Sequence, residues 1–230
     1  MSDEDDFLIS AFSSRVTASR EPDRTRTQLD PASFVQHLTQ AWINERAAPD
    51  LLPYERAAVD GLLLKIEEQT AVIDELDAGN DTSIITSILY QTELERVKFV
   101  LRSYLRTRLS KIERFCQFIL ADPASKRNLS KGELMYAENY LKATKQHFQS
   151  SFLSSLPPSL QGQEDVVFDR KLSMISQPSL DEAVFCRVVE DIGDYQLDEE
   201  ETVVLEVGQI FIFRYRAVRV LLQRGQIELI

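Results

Sequence analysis

Hydrophobic residues recur at helical spacing over most of the first 156 positions. In the run that begins at Thr92, residues placed 100° apart form one broad apolar stripe, whose members are Leu94, Val97, Leu101, Tyr104, Leu105, Leu109, Ile112, Phe115, Cys116 and Ile119. Phe99, Val100 and Phe118 lie off this stripe. A helix with more than one apolar side needs neighbours on two sides, and in a small domain one of those neighbours can be another protein.

Capping signals and prolines divide the first part of the chain into helices. Asp30 followed by Pro31 is typical of a helix start, and Ser130 with Glu133 fits a capping box. The predicted helices run from Pro31 to the break at Pro49, from Tyr54 to Asp77, from Thr82 to Leu120 and from Ser130 to Leu156. At 1.5 Å per residue the third would approach about 60 Å.

β-branched and aromatic residues replace the helical pattern after Pro157-Pro158. They cluster in short runs that predict strands at Ala183–Val189, Thr202–Val207, Gln209–Arg214 and Gln226–Ile230. An acidic turn is predicted at Asp194–Glu201, and a short helix at Ala217–Gln223 that ends at Gly225.

These elements predict an α+β multidomain protein. An N-terminal α-helical bundle with one very long helix would be followed by a small, mostly β domain at the C-terminus. The predicted parts are a disordered, acidic and Ser/Thr-containing tail over residues 1–28, the helical domain over 29–156, a linker over 157–179 and the β-rich domain over 180–230. A core as small as that of the last domain is marginal alone, so we expect it to dock on something.

Composition and charge narrow the classes of function. The formal net charge of −11 disfavours tight, sequence-independent binding to a phosphate backbone. No stretch approaches the apolar length of a membrane span, and the first residues, MSDEDD, lack the basic start of a signal peptide. We therefore expect a protein of the cytosol or nucleus with no membrane partner.

Motifs for catalysis or cofactor binding are missing from the sequence. The chain has no phosphate-binding loop, dinucleotide fingerprint or zinc-protease motif. Its two histidines, His37 and His147, and its two cysteines, Cys116 and Cys186, are unclustered. A Cys–His nucleophile pair stays open on sequence alone, but the expectation is a protein that is not an enzyme and has no metal or cofactor.

The long predicted helix is rich in cations: Arg96, Lys98, Arg102, Arg106, Arg108, Lys111 and Arg114. They could contact phosphates, form a solvated face with nearby glutamates, or pair with acidic groups of a neighbouring helix across an interface. Arg108 lies near the middle of the apolar stripe, where a lone charge would be costly to bury. Trp42, the only tryptophan, is either a core residue or an interface anchor.

Several segments, taken in order, resemble one known family, the "five" subunit of the GINS complex. They are QAWINERAAPDLL at Gln40–Leu52, ELERVKFVLRSYLRTRLSKIERF at Glu93–Phe115, LSKGELMYAENYL at Leu129–Leu141, SLPPSLQ at Ser155–Gln161, PSLDEAVFCRV at Pro178–Val188 and IFRYRAVRVLLQRGQIELI at Ile212–Ile230. The resemblance runs from about Leu29 to Ile230. Residues 1–28, the stretch near 162–172 and that near 194–201 carry no recognisable part of this resemblance.

The resemblance implies a non-catalytic subunit of a nuclear heterotetramer. Its partners would be three sister GINS subunits, the minichromosome maintenance ATPase ring and the cell-division-cycle forty-five protein, with replicative polymerases as further contacts. The GINS complex, the ATPase ring and the cell-division-cycle forty-five protein would together form the replicative DNA helicase, which acts in the initiation and elongation of DNA replication. DNA contact would be indirect or weak, and the alternative is a DNA-binding module that acts through the basic long helix. The residues expected at the subunit interface are Leu101, Tyr104, Leu105, Arg108, Ile112 and Trp42, with Arg108 paired to an acidic group inside the chain or across the interface.

Overall fold

The computed structural model describes residues 31–77, 81–158, 161–162, 166–167, 172–197 and 202–230. The prediction for residues 1–28 lies outside the described residues. The helices of this part are α1 (Pro31–Ala47), α2 (Arg56–Asp77), α3 (Asp81–Arg114), α4 (Cys116–Ala121), α5 (Pro123–Arg127) and α6 (Lys131–Ser151), and a 3-10 turn follows at Leu153–Ser155.

The longest helix, α3, has 34 residues and would span about 51 Å at 1.5 Å per residue. The sequence predicts it to continue to Leu120, and that prediction is wrong. At Phe115 the backbone leaves the helical region, with φ −113° and ψ 22°, and α4 begins at the next residue. The apolar stripe nevertheless continues, because Phe115, Cys116 and Ile119 are all buried.

Local side-chain bonds explain where the two following helices begin. Asp122 accepts hydrogen bonds from the backbone N–H groups of Ala124 and Ser125, at 3.2 and 2.9 Å, and Pro123 occupies the first turn of α5. These bonds, with one from the Ser125 hydroxyl, lower the pKa of the Asp122 carboxyl. The predicted capping box of α6 is confirmed, since Ser130 and Glu133 each accept from the other's backbone N–H.

The C-terminal part contains short antiparallel strands and one helix. They are β1 (Val166–Val167), β2 (Leu172–Ser173), β3 (Ala183–Val188), β4 (Gly193–Gln196), β5 (Thr202–Leu205), β6 (Ile210–Arg214), α7 (Tyr215–Gln223) and β7 (Ile227–Leu229). A three-stranded sheet has the order β6-β3-β7, while β4 pairs with β5 and β1 with β2. The predicted fold class, helices first and a small β region last, is confirmed.

Three details of this region differ from the sequence-based expectation. The acidic turn predicted at Asp194–Glu201 begins with a strand, because β4 pairs with β5 and the Tyr195 hydroxyl donates to the carbonyl of Ala217 at 2.8 Å. Helix α7 starts at Tyr215, two residues earlier than predicted. The β1–β2 pair falls inside the predicted linker over 157–179.

Contacts between Cα atoms divide the chain into two compact units. Among the described residues, one unit comprises 31–43 together with 55–107, and the other comprises 44–54 together with the chain from 108 onward. In the second unit, one apolar cluster joins α7 and the three-stranded sheet with Ala48, and another joins Leu51 and Ile112 with α4 and α6. The domain boundaries at 29–156, 157–179 and 180–230 stay a prediction.

Candidate subunit interface

The structure places five of the six predicted interface residues in the interior of the chain itself. Leu101, Tyr104, Leu105, Arg108 and Ile112 are each less than 9% exposed. Side chains with so little accessible surface have almost nothing to offer a partner, so these five are corrected from interface residues to core residues. The physical reason is that segments distant in the sequence supply the cover that was expected from other polypeptides.

Arg108 is fully buried, and each of its five N–H groups has an acceptor in the same chain. Nε and Nη2 donate to the two carboxylate oxygens of Glu133 at 2.7 and 3.2 Å. Nη1 donates to Glu45 Oε2 at 3.0 Å and to the carbonyl of Leu52 at 2.8 Å. Nη2 also donates to the carbonyl of Asn128 at 2.9 Å. The guanidinium is therefore paired inside the chain, which is one of the two arrangements expected from the sequence.

Lys111, one turn further along α3, adds a second cation to the same cluster. Its ammonium donates to Glu45 Oε1 at 2.8 Å, to the carbonyl of Asp50 at 2.7 Å and to the carbonyl of Glu45. All three of its N–H donors are thus used. We call Arg108, Lys111, Glu45 and Glu133 the buried ion cluster; its two cations and two carboxylates balance when ionised.

Burial dominates the electrostatics of this cluster. Loss of solvation raises the pKa of Glu45, although Lys111 and Arg108 both act to lower it. Loss of solvation likewise lowers the pKa of Lys111, against the attraction of Glu45. The contacts between Glu45 and its two cations therefore offset part of the cost of burying these charges.

Helix ends position the two carboxylates. Glu45 belongs to the last turn of α1, and Glu133 is the third residue of α6, where the capping box fixes its side chain. Glu133 Oε2 accepts from the Ser130 backbone N–H at 2.8 Å, so one carboxylate both caps a helix and pairs with Arg108. The cap is evident from the sequence but its second role is not, because nothing local in the sequence indicates a partner 25 residues away.

The segment after α1 also carries a second polar contact, to the C-terminal region. The buried hydroxyl of Tyr215 donates to Asp50 Oδ1, and Arg219 Nη2 pairs with Asp50 Oδ2 at 2.9 Å. Asn44 Oδ1 accepts from the backbone N–H of Leu229 at 2.9 Å. Burial, and then the nearby Asp50 charge, raise the pKa of the Tyr215 hydroxyl far above its ordinary value. Residues 44–54 thus contact both the helices and the sheet of their unit.

Trp42 is half-buried and stays a predicted interface residue. Its Nε1–H donates to Thr107 Oγ1 at 3.2 Å, and its ring meets Phe99 edge-on with centroids 6.2 Å apart. Phe99 itself is 59% exposed. The aromatic pair therefore keeps part of its surface exposed.

An exposed apolar surface on α3 was not assigned to the interface by sequence reasoning. Ile85, Ile88, Leu89 and Phe99 are 70, 54, 65 and 59% exposed. At 100° per residue these four project from one side of α3. We call them the Ile85–Phe99 face. The signal was present in the sequence as the run SIITSILY at Ser83–Tyr90 and as the position of Phe99 off the buried stripe.

Three cations of α3, one of them exposed and two partly buried, pair with glutamates of the same helix. Arg96 bonds Glu93 at 2.7 Å and Lys98 bonds Glu95 at 2.9 Å, both three residues apart along the helix. Arg102 lies 3.6 Å from the other oxygen of Glu95. Arg96 is 71% exposed and fits the solvated-face interpretation, whereas Lys98 and Arg102 are only 23% and 15% exposed.

Metal-ligand clusters and membrane-spanning helices are both absent from the described part of the chain. Within it, no three His, Cys, Asp or Glu side chains are grouped as metal ligands would be. No helix there combines the length and apolar character that crossing a membrane requires. Cys116 and Cys186 are both buried thiols.

Comparison with known proteins gives family matches in both parts of the chain. A family model described as "GINS complex protein helical bundle domain" matches residues 63–152. A second, described as "DNA replication complex GINS protein SLD5 C-terminus", matches residues 178–230. The two matches follow the same order as the helical and β regions of the fold.

Similar full-length proteins come from distant eukaryotes. The chain is 36% identical over 207 residues to the DNA replication complex GINS protein sld5 of Schizosaccharomyces pombe, covering 88% of this chain and 96% of that protein. It is 38% identical over 205 residues to the SLD5 protein of Arabidopsis thaliana, covering 86% and 91%. With the Mus musculus SLD5 protein it shares 32% over 216 residues, covering 88% and 91%.

Proposed function

Because the chain belongs to the SLD5 family of DNA replication complex GINS proteins, we propose that it is a structural subunit of a GINS heterotetramer and catalyses no reaction itself. In this role it is nuclear and binds three sister subunits. The assembled complex joins the minichromosome maintenance ATPase ring and the cell-division-cycle forty-five protein in the replicative helicase, with polymerases as further contacts.

The observation that carries the proposal is the Ile85–Phe99 face. Large side chains at these positions are more than half exposed, and Trp42 adds a half-buried aromatic ring beside Phe99. An exposed apolar patch of this kind marks an interaction site, and Trp and Phe are enriched in interface cores. We assign this face to a sister subunit, in place of the buried stripe that the sequence suggested.

The expected stabilisation is large enough for assembly. Fully burying an isoleucine, leucine or phenylalanine contributes about 1.5–3 kcal/mol. More than half of each side chain on the Ile85–Phe99 face is still available for burial. Covering the face would therefore contribute several kcal/mol before the entropy lost on association is counted.

The alternative of a DNA-binding module has less support. Phosphates would have to compete with Glu93 and Glu95 for the cations of α3, and Arg108 has no accessible surface. Tight binding to a phosphate backbone also depends on displacing many counterions, which a net charge of −11 opposes.

Co-expression with the three sister subunits tests the proposal. The variant Ile85→Asp/Leu89→Asp places two charges on the Ile85–Phe99 face, and we expect it to be lost from the purified tetramer. Val220→Asp is the matched control, because Val220 is an exposed apolar residue on α7, at 48% exposure. Circular dichroism of each chain checks that the helices remain.

Two outcomes would contradict the proposal. If the doubly charged variant co-purifies with all three sisters in normal ratio, the Ile85–Phe99 face is not the interface. If the unaltered chain forms no complex with the sister subunits at all, the assignment as a GINS subunit fails.

A further inference from the structure

The three-stranded sheet of the C-terminal region has an outward face that its register defines residue by residue. On β3, Val184, Cys186 and Val188 are buried, so the alternate residues of that strand point outward. Phe185 lies opposite Ile212 of β6, and Arg187 lies opposite Ile210 on one side and Glu228 on the other. Continuing the β3–β7 register places Ile230 beside Phe185, whose carbonyl accepts from the Ile230 N–H at 3.1 Å.

This outward face is apolar where a solvated sheet face is normally polar. Phe185, Ile210, Ile212 and Ile230 are 55, 56, 58 and 46% exposed. Directly opposed side chains on neighbouring strands have Cβ atoms about 5 Å apart, so Ile212, Phe185 and Ile230 form a continuous bar across all three strands. We call these four residues the Phe185 face.

The opposite side of the same sheet is already covered by a helix. Val218, Leu221 and Leu222 of α7 belong to one buried cluster with the inward residues of the sheet. Sheets bury a face by packing against a helix or another sheet, and three strands at about 4.8 Å spacing are about as wide as a helix of 10–12 Å diameter. The open face has the dimensions for one more helix.

Charge indicates what kind of helix fits. The register places two arginines on this face, Arg187 and Arg214, and both are exposed. Glu228 lies across from Arg187, whereas Arg214 lies across from Ala183, so no acid faces Arg214 in the described sheet. An excess of positive charge beside an apolar bar complements a helix that carries acidic side chains along its apolar stripe.

We propose that the Phe185 face docks an amphipathic helix of another protein, one that combines an apolar stripe with aspartate or glutamate at its border. This surface uses none of the residues of the Ile85–Phe99 face. Assembly of the tetramer and occupation of the Phe185 face are therefore measured separately.

Site-specific photo-crosslinking tests the proposal in the full chain. A photoreactive phenylalanine analogue replaces Phe185 in dividing cells that depend on this chain, and the crosslinked peptide is sequenced by mass spectrometry. The expected product is a segment with apolar residues at helical spacing and flanking acids. The same analogue at Val220, on the outer side of α7, is the matched control and is expected not to capture that segment.

Charge-reversal and charge-keeping variants test the contribution of Arg187 and Arg214 to docking. With the probe at Phe185, Arg187→Glu/Arg214→Glu is expected to lower the yield of the crosslink about fivefold, while Arg187→Lys/Arg214→Lys keeps it within about twofold. Co-purification of the sister subunits is measured in every variant, which separates this result from a failure of assembly.

Several outcomes would overturn the proposal. The captured segment could be basic or lack helical apolar spacing, or the only product could be a second copy or another part of this chain. The crosslink could also fail to exceed the Val220 control, or its yield could stay the same after charge reversal.

Discussion

Replacing Arg108 with methionine should destabilise the folded chain strongly. Methionine fills much of the same space but supplies none of the five N–H donors that now reach Glu133, Glu45 and two carbonyls. Removing one partner of a buried ion pair costs about 3–5 kcal/mol, because the remaining charge is left without a counter-charge. We expect that range rather than more, since Glu45 keeps Lys111 and Glu133 keeps the Ser130 N–H.

The loss of stability is measured by unfolding the full chain in guanidinium chloride and monitoring circular dichroism at 222 nm. Arg96→Met is the control, because Arg96 is an exposed cation of the same helix and should leave the midpoint unchanged. The double variant Arg108→Met/Glu133→Leu should lose less stability than the two single variants lose in sum, because the double variant has no buried Glu133 charge left without its partner.

The pH dependence gives an independent check on the same reasoning. Burial already raises the pKa of Glu45 above its ordinary value of 4.5, and losing Arg108 should raise it further. A carboxyl whose pKa is raised in the folded state binds its proton more tightly there than in the unfolded chain, so stability is lost as pH rises through the folded pKa. The difference between Arg108→Met and the unaltered chain should therefore shrink as pH falls from 7 towards 4.5. Equal unfolding midpoints for Arg108→Met and Arg96→Met at pH 7 would refute the reasoning.

Two further predictions concern the C-terminal region and the thiols. Tyr215→Phe removes the hydrogen bond to Asp50 and should cost about 1–2 kcal/mol in the same unfolding assay, because Arg219 still pairs with that carboxylate. Since the pKa of Tyr215 is raised above the ordinary 10.0, stability should fall as pH rises through 10, and this fall should be smaller in Tyr215→Phe; identical pH profiles would contradict that. Burial raises the pKa of the Cys186 thiol to about 11 and also raises that of Cys116. Both thiols should react with Ellman's reagent at pH 8 only as fast as the chain unfolds, and rapid labelling of the native protein would argue against their burial.

Local signals in the sequence predicted the helices and most strands well. The capping box at Ser130 and Glu133, the proline in the first turn of α1 and the strand at β3 all depend on residues within a few positions of each other. Such patterns act through backbone hydrogen bonding and alternation, which a single sequence displays directly. The break at Phe115 lacked any such signal, because the apolar stripe continues through it.

The interface prediction failed where it depended on distant contacts. The stripe containing Leu101 and Tyr104 was identified correctly as buried, but periodicity cannot say whether the cover comes from the same chain or another. Arg108 illustrates the difficulty, since its partners Glu45 and Glu133 lie 63 and 25 residues away. The run SIITSILY shows that Ile85 and Leu89 are apolar, but whether the chain itself covers them could be learned only from the folded structure.

The buried ion cluster also bears on how the helices find their alignment. Amphipathic helices can slide or rotate against one another at little cost when only apolar surfaces meet. Here α1, α3 and α6 each bring a charge to a common point, at positions 45, 108 and 133. A packing shifted by one helical turn would bury a carboxylate or guanidinium with no opposite charge beside it. Such shifted packings are strongly destabilised, which favours the native alignment of the three helices.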